Sequence, residues 1–244
     1  PNGVVQCLIS KCNQSFLLSK HVNVNVSYKP NLSQDKNYVH SIAPKKPTKM
    51  NEMPAQYEQR NLNDFIEQVV YYDGLGREEQ QIHIQGSYLG KDIIQHVSYD
   101  ALGRKEKEYL PFTQQGNGAY RADPVHMPNG LNDFYSGGTR NIAQTNYPFA
   151  KKVFDNSPLN RVMKQGAPGE TWQPGNGHSV RYEYLSNEAG IVKRWRVDAE
   201  GNCVTDGSFY APNTLYKNKL TDENDRVVYE YKNLKDQIVL KVAE

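Results

Sequence analysis

Val69-Val70-Tyr71-Tyr72-Asp73-Gly74-Leu75-Gly76-Arg77 decides the fold, because its pattern returns 27 residues later as Val97-Ser98-Tyr99-Asp100-Ala101-Leu102-Gly103-Arg104. Both stretches carry Tyr-Asp-x-Leu-Gly-Arg between runs of strand-forming residues. A repeat at this spacing marks a stack of supersecondary units. The motif reads as the corner of a β-hairpin. Its aromatic residue ends one strand and packs against a neighbour. The Asp side chain accepts from the backbone two residues on, as in an Asx-turn. Gly at the fifth position supplies the left-handed backbone that a type I turn with a G1 bulge requires. Arg opens the return strand, its stem on apolar surface and its head in water. Tyr72, Asp73, Gly76, Arg77 and Tyr99, Asp100, Gly103, Arg104 are therefore predicted as structural turn residues.

Weaker copies lie further along. Val197-Asp198-Ala199-Glu200-Gly201-Asn202 keeps the Asp and the Gly. Thr221-Asp222-Glu223-Asn224-Asp225-Arg226 keeps the Asp and the Arg, and Asp225 tolerates the left-handed backbone better than most residues. Phe154-Asp155-Asn156-Ser157-Pro158-Leu159-Asn160-Arg161 reads as a copy with two residues added. Tyr231-Lys232-Asn233-Leu234-Lys235-Asp236 keeps the Tyr and the Leu, but Lys235 does not suit the fifth position, so a different turn is expected there. One hairpin is marginal alone in water, whereas several side by side share a face and cover each other's edges. The expected fold is all-β: antiparallel hairpin repeats forming a curved ribbon, with long loops.

Composition agrees with a thin sheet. Of 244 residues, 37% are hydrophobic, and the 18 glycines bring the share only to about 44%. Mean hydropathy is -0.78. The 17 tyrosines outnumber the 7 phenylalanines, which suits strands with one wet face. Charge nearly cancels at +2, and the cluster Lys45, Lys46 and Lys49 is broken by prolines, so no nucleic-acid footprint is present. No stretch is long and apolar enough to span a membrane. Three cysteines are too few for a disulfide framework; a Cys7–Cys12 pair and free thiols, with Cys203 left over, both stay open.

Three spans follow from the punctuation. Residues 1–36 contain an alternating strand, Val22, Val24, Val26 and Tyr28, that reads as the end of a preceding β domain. Residues 37–65 are a Pro-rich linker or wrapping segment, and 66–244 the hairpin array. Within the array, residues 111–149 and 166–178 are rich in Gly, Pro and Asn. Loops of that length are expected to pack over a sheet face or fill an interior. The chain opens at Pro1 without a leader and reads as a fragment, so the missing targeting signal does not decide location. The sequons at Asn13, Asn25 and Asn31 matter only in a eukaryotic secretory pathway.

The two strong copies resemble the YD repeat of Rhs and teneurin-type proteins. A wider ordered set is similar to the N-terminal domain of Rhs-repeat proteins from Bacteroidota. It runs through Asn37-Tyr38, Gly90-Lys91-Asp92-Ile93-Ile94, Lys107-Glu108-Tyr109-Leu110-Pro111-Phe112, Ser157-Pro158-Leu159-Asn160-Arg161-Val162, Gly166-Ala167-Pro168-Gly169 and Trp172. The resemblance implies that the ribbon is the start of a hollow β-shell and the chain a non-catalytic segment of a secreted or cell-surface protein. Its β-shell encloses a C-terminal, toxin-like domain, and its partners are the other shell segments and that cargo, with secretion machinery or a surface glycan beyond them.

No catalytic, cofactor or metal site is expected. His21, His40, His83, His96, His126 and His178 are scattered without zinc spacing, although His83 and His96 fall in one hairpin region. Gly74-Leu75-Gly76 lacks the third glycine and the helix of a dinucleotide fingerprint. Self-cleaving Rhs cores carry Asp-Pro-x-Gly-Leu. Here five residues separate Asp123-Pro124 from Gly130-Leu131, so a plain loop is expected. Trp172, Trp195 and the tyrosines support an alternative, a carbohydrate- or partner-binding module, against plain cross-strand packing.

Overall fold

A computed structural model describes residues 30–47, 49, 64–137 and 141–244. The alternating strand at 22–28 and the pair Cys7 and Cys12 lie outside the described residues. The described chain is almost entirely antiparallel β, with one short helix, α1 (Leu131–Ser136), and a single 3-10 turn at Glu170–Trp172. The strands are β1 (Asn37–Pro44), β2 (Phe65–Tyr72), β3 (Glu78–His83), β4 (Asp92–His96), β5 (Lys107–Tyr109), β6 (Phe112–Gln114) and β7 (Phe149–Phe154). They continue as β8 (Val162–Gly166), β9 (Val180–Ser186), β10 (Arg196–Val197), β11 (Cys203–Val204), β12 (Tyr216–Thr221), β13 (Val227–Lys232) and β14 (Ile238–Ala243). β1 occupies the start of the span read as linker and pairs with β2 along its whole length, from Asn37–Tyr72 to Pro44–Phe65.

Strand order follows chain order. One sheet runs β1-β2-β3-β4-β6, and the other β14-β13-β12-β9-β8-β7-β5. They meet at a seam. β5 and β6 are one run of chain broken at Leu110-Pro111; β6 pairs with β4, β5 pairs with β7, and an isolated bridge joins Val97 to Glu108. Through that seam the strands form a sequential meander, interrupted only by the small hairpin β10–β11 between β9 and β12. Among the described residues neither sheet closes into a barrel.

The first sheet has a dry face. Phe65, Val69 and Tyr71 alternate along β2 with more exposed neighbours, and Ile82, Ile94 and Phe112 continue the face across β3, β4 and β6. Loops cover it: Leu32, Tyr120, Val125, Phe134 and Tyr135 pack on this core, and Leu131 of α1 is buried in it. The 111–137 excursion therefore does pack over a sheet face.

A polar clamp seats that cover. Asp92 is fully buried; its Oδ1 accepts from the Gln85 N–H at 2.9 Å, and its Oδ2 from the Gly118 N–H and Arg121 Nη2, both at 2.9 Å. Gln80 exchanges two bonds with the Arg121 backbone, at 3.0 and 3.2 Å, and the Tyr71 hydroxyl donates to the Gly118 carbonyl at 2.7 Å. Buried ionic groups are costly unless every valence is met, so the clamp fixes one seating of the cover and adds little net stability. A Cβ at Gly116 would lie 1.9 Å from Arg121 Nη2, so only glycine lets the loop approach the pair.

The second sheet is more open. Its buried apolar cluster among the described residues is Val192, Leu215 and Tyr231, where the excursion between β9 and β12 folds back on β13. Asn187 closes the base of that excursion. Its Oδ1 accepts from the N–H groups of Thr214 and Leu215 at 2.9 and 2.8 Å, and its Nδ2 donates to the Ala211 carbonyl at 2.8 Å. Trp195 (60% exposed) and Val197 (66%) stand on its outer hairpin.

Candidate functional site: a chain of like corners

The corners share one hydrogen-bond pattern. At Asp73 the Oδ1 accepts from the N–H of Leu75 and of Arg77, at 2.9 and 2.8 Å, and Arg77 Nε donates to Oδ2 at 2.7 Å. The backbone closes with Asp73 N–H to the Arg77 carbonyl at 2.9 Å and Gly76 N–H to the Asp73 carbonyl at 3.1 Å. Asp100 repeats every bond, with Leu102, Arg104 and Gly103 in the same roles. Gly76 and Gly103 have φ of 75° and 77°, and the pairing register shifts by one residue between Tyr71 and Tyr72, as the turn-plus-bulge reading requires.

The weaker copies fold alike. Asp198 and Asp222 accept from the residues two and four positions on, with Gly201 (φ 88°) and Asp225 (φ 64°) left-handed. Asp155 keeps the closing pair with Arg161 across its two added residues, and Asn160 (φ 51°) takes the glycine's place. The last copy corrects the sequence reading. Its turn does not differ; it is displaced by one residue. Asn233 plays the Asp, accepting from Lys235 and Gln237 at 2.9 and 3.0 Å, and Asp236 (φ 60°) takes the left-handed place. An Asn oxygen accepts as a carboxylate does, so the turn survives loss of charge.

A seventh corner escaped the sequence reading. Ser87-Tyr88-Leu89-Gly90-Lys91 joins β3 to β4. Its Ser87 Oγ accepts from the Lys91 N–H at 2.8 Å, its backbone pair is the same, and Gly90 has φ 67°. The Leu-Gly-Lys tail, next to Leu-Gly-Arg, is the signal that could have found it.

The corners are also wired to one another. The Arg77 guanidinium lies 4.4 Å over the ring of Tyr99, the residue before Asp100. Arg104 lies 4.5 Å over Phe154, the residue before Asp155, and Arg161 lies 4.8 Å over Tyr184 of β9. Arg77 and Arg104 are thus held edge-on by their own Asp and face-on by the ring before a later Asp corner, and Arg161 is held in the same way by Asp155 and a ring of β9. The Arg104 side chain is 22% exposed, drier than the expected wet head, whereas Arg77 at 37% and Arg161 at 41% keep part of theirs in water. Tyr99 also donates its hydroxyl to the Glu78 carbonyl at 3.0 Å, and Arg104 Nη1 donates to Asn160 Oδ1 at 3.1 Å.

Electrostatics follow the bonds. The Arg77 and Arg104 backbone N–H groups hold the Asp73 and Asp100 carboxyls below the usual range, with the two side-chain bonds adding to them. Asp155 is lowered first by the Ser157 hydroxyl and then by the Arg161 side chain, and Asp198 first by the Asn202 N–H. Asp73 and Asp100 so spend their lone pairs on turn donors.

The other singled-out residues fall apart in space. His83 pairs with Ile93 on the open face of the first sheet, whereas His96 pairs with Gln80 on the covered face, so the two histidines do not meet. Asp123 accepts from the His126 N–H and Nδ1, and Leu131 N–H donates to the Pro124 carbonyl at 2.9 Å, which folds 123–131 into a closed loop. Trp172 stands against His178, with 5.3 Å between ring centres, while Trp195 lies on the excursion after β9. Among the described residues no cluster of His, Cys, Asp or Glu is placed to hold a metal ion, and no helix is long and apolar enough to cross a membrane.

A sequential antiparallel meander and its small side hairpin, bent among the described residues at seven places by one kind of corner, define the class: a β-hairpin repeat protein. Residues 40–186 match the family described as a domain of unknown function, DUF6443, and the chain belongs to that family. No curated protein and no solved structure matches it.

Proposed function

We propose that this chain is a non-catalytic wall segment of a secreted or surface Rhs/YD-repeat protein, part of a β-shell around a C-terminal, toxin-like domain. The observation that carries the reading is the wiring of corners to later elements, Arg77 to Tyr99 and Arg104 to Phe154 at later corners and Arg161 to Tyr184 of β9. Such wiring fixes hairpins on one another and lets a sheet extend without a thick core, which is what a wall needs. The test uses the longer gene product. Imaging is expected to show strands continuing edge to edge from β14 and an enclosed domain that resists protease until the corners are mutated. A C-terminal domain outside the sheet, cut freely in the unaltered protein, ends the proposal.

One observation favours a second reading, a carbohydrate- or partner-binding module. Trp172 is 40% exposed and borders a cleft of about 680 Å³ together with Tyr135, Thr145, Asn146 and Glu170. An open ring flanked by hydroxyl, amide and carboxylate groups suits a ligand with one apolar and one polar side. Calorimetry with cell-surface sugars decides it: saturable heat lost in Trp172→Ala supports binding, and no heat from any of them removes it.

A further inference from the structure

The seam between the two sheets holds a half-buried histidine. His96 ends β4 on the covered face, and its Nδ1 is buried with no hydrogen-bond partner among the described residues. Its ring lies 5.1 Å from that of Tyr109 in β5. Tyr109 contacts Phe149 of β7 at 5.6 Å, and Phe149 contacts Tyr147 at 6.1 Å. The aromatic stack therefore crosses the seam from one sheet to the other. Direct backbone pairing there is sparse, an isolated bridge from Val97 to Glu108. A cleft of about 410 Å³ opens beside it, lined by His96, Lys105, Lys107, Glu108 and Pro168 among others.

We propose that His96 is a protonation latch: neutral, it lets the ring stack hold the two sheets together, and charged, it loosens the seam. A second ring proton needs an acceptor, and in the stacked position Nδ1 makes no hydrogen bond; opening the seam gives it water. Groups from each neighbouring element bear on that charge. Glu79 of β3 and Asp123 of the cover favour it, yet the Glu79 carboxylate is already engaged by the Tyr120 hydroxyl at 3.2 Å. Lys105 and Lys107 line the same cleft, with their ammonium groups over the rings of Tyr99 and Phe149, and Glu108 is paired with Lys152. Burial outweighs the hydrogen bond to the Glu79 backbone and the two carboxylates, so the imidazole is held below its ordinary pKa. The folded state is then favoured while the ring stays neutral, and that advantage fades as pH falls below the ordinary imidazole value.

Hydrogen exchange on the 244-residue chain tests the latch, and it does so whether or not the shell reading survives. From about pH 7.5 to about pH 5.5, corrected for chemical exchange, peptides covering 93–112 and 147–153 are expected to lose protection. The loss reaches up to about tenfold for each unit separating the buried imidazole from an exposed one. Peptide 64–72 is expected to hold. His96→Phe should abolish the response and His83→Gln should keep it. No response in the unaltered chain, or a response that persists in His96→Phe, overturns the proposal. Should His96→Phe fail to fold, an NMR titration of the unaltered chain decides: a His96 midpoint below that of exposed histidines supports the latch, and one at or above it overturns it.

Discussion

The two sheets use the same corners and yet differ in what holds them. The first has one face sealed by its own loops over Tyr71, Ile82, Ile94 and Phe112, with a buried ion pair beneath. The second carries a cluster of only three buried apolar residues, and Leu185, Tyr216 and Ile238 are exposed on its strands. The corner thus sets strand order and register in both places, while burial is set by which loops fold back. A corner is local and works in any setting; a core depends on distant chain.

The largest contrast should come from the clamp. Arg121→Met leaves the Asp92 carboxylate buried with backbone donors alone, a loss of about 3–5 kcal/mol. Arg181→Met, which removes the exposed pair with Asp225 in the second sheet, should cost less than about 1 kcal/mol. Urea unfolding measures both, and near-equal midpoints would erase the distinction between the sheets. Core truncation comes next. Phe112→Ala is expected to cost about 3–5 kcal/mol, and the half-buried Val228→Ala of β13 about a third of that or less.

Corner chemistry should give equal effects in both regions. Gly76→Val and Gly201→Val each place a β-branched residue at positive φ with open space around it, so backbone strain alone should cost about 1–3 kcal/mol. Gly→Asn at either place should cost much less, because Asn160 already sits there in another corner. Unchanged melting temperatures in both valine variants would refute the turn assignment. The wiring is a smaller term. Arg104→Lys gives up the planar fork over Phe154 and should lose about 1 kcal/mol, whereas exposed Arg226→Lys should change nothing measurable.

Acid titration should give the smallest and broadest effect. The carboxyls of Asp73, Asp100, Asp155 and Asp198 are lowered in the fold, so their stabilisation is present above the unfolded carboxylate range. It is lost as pH falls through their folded values, below about pH 4. Asp73→Asn should keep its turn, as Asn233 does, and flatten part of that acid slope. An acid slope unaltered in the fourfold Asn variant would assign it to other groups.

How much was legible varies with the reach of each interaction. The strong corners were read residue by residue, since an Asx bond spans two to four positions and the left-handed residue is a matter of one φ. Ser87 was missed because a hydroxyl in the Asp place breaks the spelling and keeps the acceptor. The last corner was read one residue out of register because Tyr231 suggested the strand end, whereas the acceptor Asn233 sets the turn. Nothing in the spelling tied Arg77 to Tyr99 or Asp92 to Arg121, residues 22 and 29 positions apart.

The amino-acid sequence alone determined that this chain is β, that its hairpins repeat and where most of them bend, because those outcomes rest on side chains bonding their own backbone. The tertiary structure decided which sheet acquired a dry face, which arginine met which ring, and that a histidine lies in the seam. Those depend on desolvation and close approach between segments whose distance along the chain says nothing of their distance in space.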